Sequence, residues 1–160
     1  MQQIPKEPFL SCPERKAARR EPSYRCAAVT KTLFLSMPRA DADALILNYR
    51  IALEAAKSGH ADAVLIRRLF TMALLTRFLT EAGHGLLERV APEEGESVLV
   101  EIAGRGPETG DWTRSRLAIE LLVCITNEHD RQLQQTRVEV LIDASNRLDR
   151  FLDRQRLSPS

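Results

Sequence analysis

From Pro38 onward, apolar residues recur at steps of three and four, the period of amphipathic helices and not of strands. A first helix is expected over roughly 40–57, with Ser36 or Asp41 as cap and Pro38 tolerated in the first turn. Its apolar face reads Leu45, Tyr49, Ala52 and Ala56, with Ile46 and Leu53 beside it, and Lys57-Ser58-Gly59 supplies a closing cation and a left-handed glycine. A second helix, roughly 62–82, starts at Asp62 and carries Leu65, Leu69, Met72, Leu75 and Leu79 together with Ile66, Phe70, Leu74 and Phe78. Only Arg67, Arg68 and Thr71 mark a wet strip. So wide an apolar surface marks either the central helix of a bundle or one shared with a partner. Both helices close with a Gly-His pair, Gly59-His60 and Gly83-His84.

The span 86–110 carries two signals. Pro92-Glu93-Glu94 suits a first helical turn, and Val98, Leu99, Ile102 and Ala103 keep helical spacing, whereas the β-branched run Val98–Ile102 also suits a short strand. Helix is the expectation, with a break at Gly104, Gly106, Pro107 and Gly110. A third long helix is expected from Thr113 to about 132, burying Leu117, Leu121, Cys124 and Ile125 with Ala118 and Leu122, and with Trp112 stapling its entry. The fourth opens on Thr136-Arg137-Val138-Glu139, the spacing of a capping box, and runs to about 156 through Leu141, Ser145, Leu148 and Leu152. Four long helices and one short one predict an all-α bundle.

Composition adds one division. The formal net charge is +1, but residues 1–31 hold seven Lys/Arg against three acids, and the remainder holds sixteen against nineteen. Four of the eight prolines, Pro5, Pro8, Pro13 and Pro22, fall in that basic segment. Residues 1–36 therefore read as a basic, disordered or peripheral tail and 37–157 as the helical domain, and Met37 would also serve as a start. No apolar run approaches the roughly 20 residues of a membrane span, and the first residues lack the apolar stretch of a secretory signal, so a cytoplasmic protein is expected. Cys12, Cys26 and Cys124 have no C-x-x-C spacing and fit a reducing compartment, with Cys124 read as a small buried hydrophobe.

Candidate chemistry is sparse. His60 and His84 stand where an imidazole serves a helix end, and Glu128-His129-Asp130 has the composition of a hydrolytic cluster without an H-E-x-x-H repeat or a G-x-S-x-G elbow. Gly104-Arg105-Gly106 lacks the rest of a phosphate-binding pattern. No enzyme activity, cofactor or metal is expected. Charge singles out Arg15, Lys16, Arg19 and Arg20 in the tail and Arg137, Arg147, Arg150 and Arg154 on the last helix as nucleic-acid contacts. The second helix singles out Leu65, Leu69, Phe70, Leu74 and Phe78 as a protein interface.

Gln135-Thr136-Arg137 followed by Asn146-Arg147 and Arg150 resembles the C-terminal helix-turn-helix of Fis-type nucleoid regulators. Two features depart from it: Val140 to Leu152 has no turn-forming break, and Glu139, Asp143, Asp149 and Asp153 interleave the arginines. A wider likeness covers Ile51–His60, Phe78–Gly85, Thr109–Trp112 and Asn127–Leu133, which resemble a set of small bacterial proteins labelled Fis family transcriptional regulators. That resemblance implies a DNA-linked regulatory role. From the residues themselves, the expectation is a non-enzymatic, regulatory helical interaction module that binds a protein partner or a second copy of itself. The alternatives are a direct DNA-binding regulator, or an inhibitor or adaptor carried by a mobile element that blocks a larger nucleic-acid enzyme.

Overall fold

The computed structural model describes residues 31–110, 112 and 115–157. Five long helices account for most of them: α1 Arg39–Lys57, α2 Ala63–Leu79, α3 Val90–Thr109, α4 Arg116–Gln135 and α5 Val138–Leu157. A π turn, Thr80–His84, prolongs α2, and there is no strand among the described residues, only an isolated antiparallel bridge between Ser36 and Arg137. Through it the chain entering α1 is tied to the start of α5, with Val138 N–H donating to the Leu35 carbonyl at 2.9 Å.

α2 is the centre of the bundle and packs against all four other helices. One of its sides, Ile66, Leu69, Met72 and Ala73, joins Ala52, Leu53 and Ala56 of α1, Leu99 and Ile102 of α3, and Leu122 and Ile125 of α4. Its other side, Leu74 and Phe78, with Leu79 at its end, packs on Ala144 and Leu148 of α5. Two cores on one helix explain its nearly continuous apolar circumference, and its Asp62 cap accepts from Leu65 N–H at 2.8 Å as the sequence suggests. Its Leu69, Leu74 and Phe78 are thus core residues covered by neighbouring helices of the same chain, not a free interface; Leu65 and Phe70 are half-buried.

Several expectations are corrected by the packing. The buried face of α1 runs through Ala42, Ile46, Ala52, Leu53 and Ala56, while Leu45 is largely exposed. α1 is capped at Pro38, not at Ser36 or Asp41. Residues 97–103, by contrast, are helical as expected, because Pro92, Gly95, Leu99, Ile102 and Gly106 form one buried stripe at helical spacing. Gly104, Gly106 and Pro107 lie inside α3, and only Gly110, at φ 68°, ends it. Pro107 lies in the last turn of α3 and removes one donor from its hydrogen-bond ladder.

On α4 the buried stripe is Ala118, Leu122, Ile125, His129 and Gln132, so Leu117 is 76% exposed and Cys124 is exposed as well. The helix starts at Arg116 behind a Ser115 cap, which accepts from Ala118 N–H at 3.3 Å; Thr113 lies outside the described residues. At the start of α5 the first carbonyl to accept is that of Arg137, from Val140 and Leu141, so the cap falls one residue beyond the Thr136 of the expected capping box. The Gly59 and Gly83 closures are as expected, at φ 73° and 87°. At the first, His60 acts through its backbone N–H, which donates to the Ala55 carbonyl at 2.8 Å.

Candidate functional site

α3 and α5 both lie on α2 with little direct contact between them, and a groove runs between the two. Its two lobes, about 770 and 780 Å³, share Phe70 of α2, Val100 of α3, and Leu152 and Gln155 of α5. Along α3 it extends from Glu93 to Pro107, which at the helical rise is about 21 Å. One lobe is mostly apolar: Ile66 and Leu99 are buried beneath it, Trp112, Ala103, Gly104 and Pro107 line it, and Arg67 and Thr71 add a polar edge. The other carries Phe151 with Arg77, Glu93 and Glu96.

Local sequence explains this shape. Gly106 is buried because the Trp112 ring occupies the space a β-carbon would need, whereas at Gly104 that space is open. Three small or clipped residues in one helical turn and a half therefore keep this lining low beside an exposed Val100.

In the polar lobe the Arg77 Nε stands 3.0 Å from Glu96 Oε1, but neither atom has the alignment of a hydrogen bond. Burial pushes the Glu96 carboxyl up to about 7, against the pull of Arg77 and with added repulsion from Glu93 and Glu81. Arg77 also sits 5.2 Å from the Phe78 ring centre.

A polar network on α4 fixes the connection that leads into α3. Glu128, 6% exposed, accepts from Leu86 N–H at 2.7 Å and from Arg131 at 2.6 and 2.9 Å. Arg131 also donates to the His84 carbonyl at 2.6 Å. Burial pushes the Glu128 carboxyl up, but the hydrogen bonds from Arg131 and Leu86 outweigh it and hold the group below its usual range. One turn on, Gln132 donates to the Thr76 carbonyl and to Thr80 Oγ1 at 3.3 and 3.2 Å, beneath the π turn. His129 is fully enclosed, edge-on to Tyr49 at 5.4 Å, and burial lowers it to about 4 against the pull of Asp130, the Gln132 side chain and Glu128. Its Nδ1 has no partner, nor has Gln132 Oε1. The enclosed imidazole packs against Tyr49, and the Glu128, Arg131 and Gln132 bonds tie α4 to the π turn and to the connection into α3.

Of the residues the sequence singles out, Phe70 alone lines the groove. Arg147 is committed within the chain, paired with Glu81 and stacked 4.2 Å from the Phe78 ring centre. Arg150 and Arg154 lie exposed on the same face of α5, each donating to the carbonyl four residues back, at 3.2 and 3.1 Å, and Arg137 is exposed at the helix start. Arg15, Lys16, Arg19 and Arg20 lie outside the described residues. The groove residues Val100, Gly104, Trp112, Leu152 and Gln155 come from three segments with no shared motif; the low-volume stretch Ala103–Pro107 is the one signal that pointed toward them.

Among the described residues, no group of three or more His, Cys, Asp or Glu side chains could hold a metal ion, and no helix is long and apolar enough to cross a membrane. No protein-family model matches the chain, and neither a curated protein nor a solved structure does.

Proposed function

We propose that this chain is a non-enzymatic interaction module with a regulatory role, which receives an amphipathic helix of a partner protein in the groove between α3 and α5. The observation that carries the reading is the form of that groove: mostly apolar in one lobe, open along one side, and lined by residues small enough for a helix backbone to approach. A groove of about 21 Å matches roughly four helical turns, the span over which helix-in-groove partners place their anchors. A small-molecule site would instead enclose most of its ligand. Phe70, Val100 and Leu152 are the contact centre, and the arginine and glutamates of the polar lobe set the partner's direction.

The experiment is selection of displayed amphipathic helical peptides, about 16 residues long, on the full chain. Trp112 is the single tryptophan and lines the groove, so its emission reports occupancy. Selected peptides should shift Trp112 emission to the blue, and Val100→Glu or Gly104→Leu should weaken them at least tenfold while leaving the helical circular dichroism unchanged. Peptides indifferent to both variants, or no enrichment at all, would overturn the reading. Salt-sensitive binding to duplex DNA that is lost with Arg150→Ala and Arg154→Ala, with the groove variants neutral, would put the nucleic-acid reading in its place.

A further inference from the structure

α1 has a second apolar stripe on the side away from the core. Ala40, Ala44, Leu47 and Ile51 are all exposed, Leu47 at 56% and Ile51 at 53%, and follow one another at steps of four, three and four. That is the seam spacing of a coiled coil, continued by Glu54 and Ser58. No described element of the chain covers it. We infer that the stripe is a self-association surface on which α1 of a second copy lies antiparallel.

Charge chooses both the occupant and the direction. In a parallel pair Glu54 would face Glu54 of the second copy within the seam. Running antiparallel, with Leu47 set against Ile51 of the other copy, places Glu54 opposite Ala44 and Ala40 opposite Ser58. On one flank of the seam Asp43 then meets Lys57 of the second copy, twice by symmetry, with the two Arg50 side chains between them at the two-fold axis, each held by Asp130 of its own chain at 2.9 Å, and on the other flank Asn48 meets its own equivalent. Asp43 and Lys57 each have a neighbour on their own helix, Arg39 at 3.7 Å and Glu54 at 2.9 Å, but all four side chains stay well exposed and free to exchange partners. The stripe is complementary to itself, as a two-fold interface must be. One helix pair covers less than the roughly 800 Å² per partner of a stable complex, so dissociation is expected in the tens of micromolar or weaker.

Sedimentation equilibrium of the full chain from about 5 to 500 μM tests this. The mean mass should rise from that of the 18.0 kDa chain toward twice that value, and Leu47→Glu with Ile51→Glu should hold it at the monomer while the circular dichroism stays helical. Asp43→Lys and Lys57→Asp should each weaken association about fivefold, and the double exchange should restore it. A monomer at every concentration, a dimer that survives the Leu47 and Ile51 changes, or a double exchange that fails to restore association would each overturn the inference. Peptide binding in the α3–α5 groove is read separately through Trp112 and stands or falls on its own.

Discussion

The six-membered ring of Trp112 lies where a β-carbon on Gly106 would stand, while two residues earlier on the same helix Gly104 has nothing within 4 Å of that position. Two glycines two residues apart thus have opposite roles. Gly104→Ala should stabilise the chain by about 0.5–1 kcal/mol, the ordinary helix-interior gain. Gly106→Ala should destabilise it by about 1–3 kcal/mol, because the indole must move and the apolar end of the groove with it. Chemical denaturation gives both signs, and the emission of Trp112 should change in the second variant alone.

Glu128 is the hinge of the α2–α3 connection, since it joins Leu86 N–H to Arg131, which in turn holds the His84 carbonyl. Glu128→Ala leaves the Leu86 N–H without its acceptor and the partly buried Arg131 guanidinium with only the His84 carbonyl and Gln135 to bond, and should cost about 1–3 kcal/mol. Hydrogen exchange separates this from a general loss: the Leu86 amide should lose more protection than amides in the middle of α4. Equal loss at both would mean that the pair does not hold the connection locally.

On α4, Leu117→Ser should change stability by less than about 0.5 kcal/mol, whereas Leu122→Ala should cost about 2–5 kcal/mol, since the first side chain is 76% exposed and the second fully buried. Thermal or urea unfolding of the two variants decides between this face and one that buries Leu117 and Cys124.

Ala118, Leu122 and Ile125 of that face were legible in the sequence, and how the rest of it was missed shows where such reading stops. α2 announced itself, because a helix covered on two sides needs apolar residues nearly all round. On α4 the stripe is completed by Thr126, His129 and Gln132, and a reading that follows hydrophobicity passes over polar residues even when they are buried. It then settles on the neighbouring column, where Leu117 and Cys124 stand one heptad apart. Gly106 and Pro107 read as breakers because their local preferences are strong, but the stripe from Pro92 to Gly106 and the contact with Trp112 favour continuing the helix. The groove was beyond reach for a different reason: it exists because α3 and α5 lie apart on α2, and separation between helices leaves no periodic mark in either.

Stability against pH should be set by two buried groups that titrate in the same window with opposite signs. His129 is lowered from 6.5 to about 4, so between these values the unfolded chain binds a proton that the folded chain does not, and stability falls as pH drops through the window. Glu96 is raised from 4.5 to about 7, so there the folded chain holds a proton that the unfolded chain has released, and stability falls as pH rises. Around pH 5.5 the two exchanges cancel, and unfolding should neither take up nor release a proton on their account. Replacing one group should expose the other. Glu96→Gln should give a midpoint that climbs from pH 4.5 to 6.5, by the equivalent of up to about 3 kcal/mol for a fully enclosed imidazole. His129→Phe should give one that declines from pH 5 to 7, by on the order of 1 kcal/mol because Glu96 keeps some solvent screening. Thermal unfolding of the three proteins at half-unit steps of pH measures all three slopes. Parallel curves for the wild type and both variants would show that neither group titrates as its surroundings dictate.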